Sequence, residues 1–220
     1  MDIIVISLGG SVISRDKGVN TIFIEKFAKV IKSEQLRHKF AIAVGGGNIA
    51  KSYINAATLF SSSEFVKDEI GINATHINAM LVGAALGINK IAYSLKDIEY
   101  TLSTKQVAVI GGLLPGITTD TVAVLAAEKL GARTLINISS SGGIFSDKGT
   151  ELKKISYEML IKKAIENDSR IARSNFVFDV IACKLAKRSN IKLHFVNDDM
   201  NNIKNAINGK NHEGTVIYPN

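Results

Sequence analysis

Apolar residues along this chain fall into two alternating patterns. Short runs (Ile3 to Leu8, Phe40 to Val44, Val107 to Ile110, Thr134 to Ile138, Lys192 to Val196) have strand length. The first of them is continuous and does not alternate with polar residues, which predicts a strand buried on both faces, as in a parallel sheet. Between them lie stretches with helical spacing. Thr21 to Ser33 places Ile22, Phe23, Phe27, Ala28, Val30 and Ile31 on one face, and a helix opens at Asn48. The serines 61–63 with Glu64 read as a cap leading into 65–71, followed by a well-buried, alanine-rich helix over 72–86. Further helices are predicted over 122–130, 157–165, 179–188 and 203–207. A short strand is expected at 90–93, a hairpin over 144–155 and a final strand at 214–218, while 95–102 is ambiguous and 15–18 reads as a surface loop.

Strand and helix alternation predicts an α/β fold, an open and largely parallel sheet with helices on both faces. In such sheets ligands bind beyond the carboxyl ends of the strands. Here those ends carry glycine or hydroxyl clusters: Gly9-Gly10-Ser11, Gly45-Gly46-Gly47, Gly111-Gly112, and the run from Ser139 to Gly143. A strand that stops on glycine and feeds a helix presents bare N–H groups at a helix N-terminus, where amides and the helix dipole favour an anion. One glycine triplet is also an ordinary turn. Its repetition across four strands is what points to a phosphate-bearing ligand.

The remaining totals narrow the class. The 220 residues, 46% hydrophobic, suffice for a full core as one domain or two closely packed lobes. No apolar run reaches the roughly 18 to 20 residues of a membrane span. No signal-peptide pattern opens the chain, so a cytoplasmic protein is expected. A single cysteine, Cys183, excludes an internal disulfide framework. The net charge of +7 comes from scattered Lys and Arg with few aromatics, which fits attraction of small anions better than a nucleic-acid groove. The four histidines have no metal-ligand spacing, and the P-loop, the dinucleotide fingerprint and the nucleophile elbow are all missing.

Six motifs in order, Ser7 to Val12, Val44 to Gly47, Lys67 to Ile72, Asn78 to Leu81, Pro115 to Asp120, and Asp179 with Lys184, resemble the amino-acid kinase superfamily, most closely the archaeal-type UMP kinases. The resemblance spans nearly the whole chain. It implies a single domain over 1–220, with an acceptor-binding lobe at about 1–130 and an ATP-binding lobe at about 131–220. It implies transfer of the γ-phosphate of ATP to UMP, giving UDP in pyrimidine nucleotide synthesis, with Mg²⁺ and no resident metal site. A homohexamer built as a trimer of dimers is also implied, with Ala79 to Ala85 as the surface of interest.

On that resemblance Gly9 and Gly10 face the β- and γ-phosphates of ATP, Gly46 the UMP phosphate and Gly47 the transferring group. Lys51 stands where an arginine is common and is expected in ATP binding and catalysis, against the alternative of a solvated helix lysine. Asp68 would take the ribose hydroxyls, against a helix-start carboxylate, and Leu113, Leu114, Pro115, Gly116, Ile117, Thr118 and Thr119 would wrap the uracil and phosphate. Asp179 would orient the catalytic cations and Lys184 would bear on the phosphates; an ordinary helix-surface ion pair is the rival. Ser139, Phe145, Asp147 and Lys148 fall on the ATP side. There the family's Asn-Val-Asp-Gly-Val-Tyr becomes Ser140-Ser141-Gly142-Gly143-Ile144-Phe145, Arg173 replaces a glycine, His76 an arginine, and Ser7 a lysine of some branches. A superfamily kinase of another acceptor, such as isopentenyl phosphate, or a nucleotide-binding regulatory or storage protein, stays open.

Overall fold

The predicted alternation is what the chain builds. The computed structural model describes residues 1–15, 18–167 and 178–219. In chain order these form β1 (Asp2–Leu8), α1 (Gly10–Ile13), β2 (Ser14–Arg15), β3 (Gly18–Val19), α2 (Thr21–Glu34), β4 (His38–Val44), α3 (Gly47–Leu59) and α4 (Glu64–Leu86). Then come α5 (Leu95–Thr104), β5 (Val107–Ile110), α6 (Thr119–Leu130), β6 (Thr134–Ile138), α7 (Tyr157–Glu166), α8 (Val180–Arg188), β7 (Lys192–Val196), α9 (Met200–Ile207) and β8 (Thr215–Ile217).

Six strands form one sheet in the order β5-β4-β1-β6-β7-β8. β1 runs parallel to β4 from Asp2↔His38 to Leu8↔Val44 and to β6 from Ile4↔Thr134 to Leu8↔Ile138. β5 and β7 extend the parallel set, and only β8 is antiparallel, on β7. The carboxyl ends of the five parallel strands therefore share one edge. From β1 the chain builds outward through β4 and β5, then returns to lay β6 and β7 on the other side, so the strand order reverses between β1 and β6. That reversal opens a crevice, where such sheets bind ligands.

The continuous apolar runs are used twice. Val5, Ala41 and Ala108 face a core shared with α5, α6, α7 and α8, while Ile4, Ile6, Phe40 and Ile42 face the other layer with α2, α4 and α9. The split follows the sheet face, as period-2 strands dictate. Cys183 is fully buried in the first of these layers, and burial pushes its thiol well above the ordinary range, with Asp179 and Asp120 adding to the effect.

Three local expectations are corrected. Residues 64–86 form one helix, capped by Ser63, which accepts a bond from Val66 N. Gly71 lies inside it, packed against Ile54 of α3. The 72–86 part is not buried all round either: Ile77, Met80 and Leu81 are exposed. Residues 90–93 form no strand. Ala92 makes a single bridge to Ile110, and Tyr93 N donates instead to the Asp97 carboxylate (3.1 Å) as Ser94 caps α5. The hairpin expected within 144–155 is present: Phe145 bridges Glu151 antiparallel, Ser146 N donates to Thr150 O (2.8 Å) and Leu152 N to Ile144 O (2.8 Å).

Candidate active site

Seven of the nine helices found among the described residues start on a side chain that accepts a first-turn N–H: Asn20, Ser63, Ser94, Thr118, Ser156, Asp179 and Asp199. The two without such a cap, α1 and α3, begin at Gly9 and Gly46. Their turns interlock. A Cβ on Gly10 would sit 1.9 Å from Gly47 N, one on Gly45 2.6 Å from Gly10 N, and one on Gly47 2.3 Å from both Gly10 O and Ser14 Oγ. Gly47 also has φ +59°, a conformation that a Cβ disfavours. No side chain larger than hydrogen fits at this seam, so backbone lines the seat. Asn78 of α4, fully buried, fastens it from below, donating to Gly45 O (2.8 Å) and Gly46 O (3.0 Å), while its Oδ1 has no partner. Ser14 Oγ accepts from Asn48 N (2.8 Å). Lys51 lies one turn into α3, exposed, on an open cleft of about 460 Å³ shared with Ser14, Asn48 and Ser52.

Beside the β1–β6 crevice two carboxylates face each other. Asp120, in the first turn of α6, accepts from Ser7 Oγ (2.5 Å) and Asn137 Nδ2 (2.8 Å), residues of β1 and β6 paired in register. Burial, reinforced by the Asp179 carboxylate, pushes Asp120 up to about 7 despite those two hydrogen bonds. Asp179, from the cap of α8, accepts from Thr118 Oγ1, from Thr121 Oγ1 (2.9 Å) and from Ala182 N (2.9 Å). No lysine or arginine pairs with either carboxylate among the described residues. Such an apposition is costly unless a cation sits nearby.

The 113–119 segment is tied to α4. Asp68 accepts from Gly116 N (2.8 Å), and Gly116 has φ +83°. Asp68 is therefore not the cap of α4, since Ser63 takes that role; in this structure its carboxylate anchors the loop. Thr75 Oγ1 accepts from Gly112 N (2.6 Å). His76 Nε2 lies 2.9 Å from Gly112 O, which requires a proton on that nitrogen, and its ring meets Tyr93 edge-on. Leu114, Gly116 and Thr118 are exposed, while Leu113, Pro115, Ile117 and Thr119 are half-buried.

Across the crevice, the serine segment bonds mostly to itself. Ser139 Oγ meets Ser141 Oγ (3.1 Å) and accepts from Gly142 N (3.2 Å), and Ser140 N and Oγ both reach Ser11 Oγ (3.3 and 3.1 Å). Phe145 is exposed, as is Lys148; Asp147 pairs with Lys163 (2.9 Å), which holds its carboxyl below the usual range. Lys184 is exposed on α8, without an ion pair among the described residues. Arg173 lies outside the described residues.

The fold thus brings Gly9, Gly10, Gly46, Gly47 and Lys51 to the β1–β4 exits, and Thr118, Thr119 and Asp179 to the carboxylate pair. Asp147 lies out on the hairpin, turned to Lys163. Reading the sequence missed Asp120, Ser7 and Asn137 as one hydrogen-bonded unit, and Asn78 as the brace of the glycine triplet. The signal for Asp120 was its place behind Thr118 and Thr119 at a helix start.

A largely parallel sheet with glycine turns at the exits of β1 and β4 defines an open α/β protein. The family model described as the amino acid kinase family matches residues 2–197, and the chain belongs to that family. It is 36% identical to a uridylate kinase of Thermococcus sibiricus, over 98% of this chain and 99% of that relative. A crystal structure of uridylate kinase from Archaeoglobus fulgidus superposes with a TM-score of 0.84 at 34% identity, covering 99% of this chain and 100% of that one. The crystal structure of UMP kinase from Ureaplasma parvum, at 22% identity, TM-score 0.78 and coverage of 99% and 100%, shares the fold.

Proposed function

We propose that this chain is a uridylate kinase, an enzyme that transfers the γ-phosphoryl group of ATP to UMP. The observation carrying this reading is the backbone seat of interlocked glycines, together with the Asp120 carboxylate that burial and the Asp179 charge push up, in a chain about one-third identical, end to end, to named uridylate kinases. Phosphoryl transfer asks a protein for positioning and charge neutralisation and for little covalent chemistry. Gly9 and Gly10 approach the donor phosphates, Gly46 the acceptor phosphate, and Gly47 the group in flight. Lys51 adds a positive charge near the triplet. The 113–119 loop, held by Asp68 through Gly116 N, encloses the uridine, and the same carboxylate's remaining lone pairs take the ribose hydroxyls.

The 1–130 part holds the acceptor and the 131–220 part the donor, with Ser139 and Phe145 on the donor side and Lys184 bearing on the phosphates from α8. The carboxylates of Asp120 and Asp179, apposed without a protein cation, fit Mg²⁺, which uses one or two carboxylates and takes its other ligands from phosphates and water. Bound there, the ion neutralises charge on the phosphate oxygens. Ser7 and Asn137 hold the Asp120 carboxylate in place. The exposed Ile77, Met80 and Leu81 beside Ala79 to Ala85 support burial of α4 in a homo-oligomer, a hexamer made of dimers. None of the described helices is long and apolar enough to cross a membrane, and we place the protein in the cytoplasm, in pyrimidine nucleotide synthesis.

A phosphoryl-acceptor panel with ATP and Mg²⁺ tests the reading. UMP should exceed CMP and AMP by at least about 10²-fold in kcat/KM, because a site matched to the uracil edge leaves polar groups unpaired against another base. Equal rates on the three would overturn it. One observation favours a second reading, a nucleotide-binding protein that has lost transfer: the 139–143 segment carries no carboxylate, and Asp147 is engaged by Lys163. Tight UMP binding without ATP consumption would select that reading.

A further inference from the structure

At the amino end of β7, away from the strand exits that carry the glycines, a second basic site is built. Lys154, Lys192, Lys210, His194 and His212 line a cavity of about 290 Å³, with Tyr218 of the chain's last described stretch among them. Lys154 Nζ and Lys192 Nζ each lie 4.7 Å from the centroid of the Tyr218 ring. Lys153, also in the lining, pairs with Glu151, but Lys154, Lys192 and Lys210 make no ion pair among the described residues, and no carboxylate belongs to the lining. Among the described residues the lining thus carries ammonium groups and no carboxylate, and the Tyr218 ring offsets the repulsion of Lys154 and Lys192 in part.

The wall of the cavity is an imidazole pair, one ring buried and the other half-buried. His194 is 2% exposed, and its Nδ1 lies 2.7 Å from Nε2 of His212. His212 Nδ1 lies 2.8 Å from Glu213 O and must donate to it. Burial first, then Lys192 and His212, hold the His194 imidazole down to about 3, so it stays neutral. Glu213 points its backbone carbonyl at the pair, and its side chain is exposed. The charged side chains lining the cavity are therefore all positive.

We infer that this cavity is an anion site for a di- or triphosphate chain, separate from the glycine seat. A single phosphate would underfill the space, and a nucleic-acid strand needs an open track with free aromatic faces, whereas here two lysines lie over the Tyr218 ring. The site is also wired to the hairpin over 145–151. Val216 N donates to Lys153 O (3.0 Å) and Ile155 N to Val216 O (3.4 Å), so the segment carrying Lys154 is fastened to β8 just beyond the end of that hairpin. The inference stands whether or not the chain phosphorylates UMP.

The test is a histidine-ring NMR titration of the full-length protein, in which His194 and His212 report the cavity and His38 and His76 report other places. Sodium tripolyphosphate and UTP are titrated in parallel arms, each against sodium chloride at matched ionic strength. His212 and His194 resonances should shift saturably, and the Lys154→Gln/Lys192→Gln double variant should weaken that response at least tenfold while the His76 signal, beside the 113–119 loop, behaves as in the parent. A response to tripolyphosphate alone assigns the site to free oligophosphate, and a response to both assigns it to the phosphate tail of a nucleotide as well. His212 resonances that stay still, or follow salt alone, or respond equally in the double variant, overturn the inference.

Discussion

The two sides of the crevice solve the same problem with different materials. On the β1–β4 side, backbone meets backbone: Gly10, Gly45 and Gly47 leave no room for a Cβ, and Asn78 locks the turn from beneath. On the β6–β7 side, the 139–143 segment is held by hydroxyls, with Ser11, Ser139, Ser140 and Ser141 trading bonds near the surface. A glycine seam has one geometry. Hydroxyl rotors can reorient as a ligand arrives, so the first side is preformed and the second adaptable. The contrast predicts that substitutions on the glycine side act through the fold, and those on the serine side through ligand affinity.

The largest effect is expected from Gly10→Ala. Its new methyl would sit 1.9 Å from Gly47 N, a collision with backbone that no rotamer relieves. Overpacking of this kind costs about 3 kcal/mol or more, which lowers the Tm of a chain this size by roughly 6 to 12 °C. Kinase activity should fall more than about 10³-fold as the two turns separate. Differential scanning fluorimetry together with an ATP-consumption assay checks both. A variant with parental Tm would mean that the seam is not the rigid half.

Lys51 comes next, because it tests whether the preformed side also carries charge for the transfer. Lys51→Ala should lose about 2 to 4 kcal/mol of transition-state stabilisation, a fall of roughly 30- to 1000-fold in kcat/KM. Lys51→Arg should recover part of it. Since Lys51 is exposed and makes no ion pair among the described residues, Tm should not change. An alanine variant within threefold of the parent leaves Lys51 as a solvated helix lysine.

The glycine side was legible in the sequence because close backbone approach permits only one residue type. The strands were legible for a related reason, since a sheet buried on both faces needs unbroken apolar runs. What was not legible depends on tertiary partners. The capped 65–71 stretch and the 72–86 helix prove to be one element, and Tyr93 reads as strand until the Asp97 carboxylate takes its N–H. Asp120 was visible only as part of a threonine-rich turn. Its partners Ser7 and Asn137 lie 113 and 17 residues away, on strands that become neighbours only through the switch in sheet order. Asp68 was singled out, but its bond to Gly116 N, 48 residues on, could not be foreseen from local spacing.

Asp120 lies between the two sides, and its titration sharpens the comparison. Its folded-state pKa is raised from 3.8 to about 7, so the proton is held more tightly in the folded chain. The associated stability is fully present below about pH 4 and is lost as the pH rises through 7. In EDTA and without nucleotide, the parent should lose of order 2 to 4 kcal/mol between pH 5 and 8, while Asp120→Asn, which cannot ionise, should lack this component. Added Mg²⁺ should flatten the parental slope. Parallel pH profiles for parent and variant in EDTA would show that Asp120 ionises as an ordinary carboxylate.

The smallest expected change is the one that probes the adaptable side. Ser11 Oγ is the acceptor for both Ser140 N and Ser140 Oγ, linking the β1 exit to the serine segment. Both bonds lie at the exposed rim, at 3.3 and 3.1 Å, so water replaces them readily. Ser11→Ala should therefore change stability by less than about 0.5 kcal/mol, a Tm shift of roughly 2 °C at most. The loss should appear in the donor. A segment no longer tethered must be ordered by ATP itself, which should raise KM for ATP by about 3- to 10-fold, equivalent to roughly 0.7 to 1.4 kcal/mol. KM for UMP should stay within twofold, because the 113–119 loop and the glycine triplet make none of these bonds. Initial-rate kinetics with each substrate varied in turn separates the cases. A rise in KM for UMP instead would place the acceptor on the serine side and reverse the assignment of the two halves.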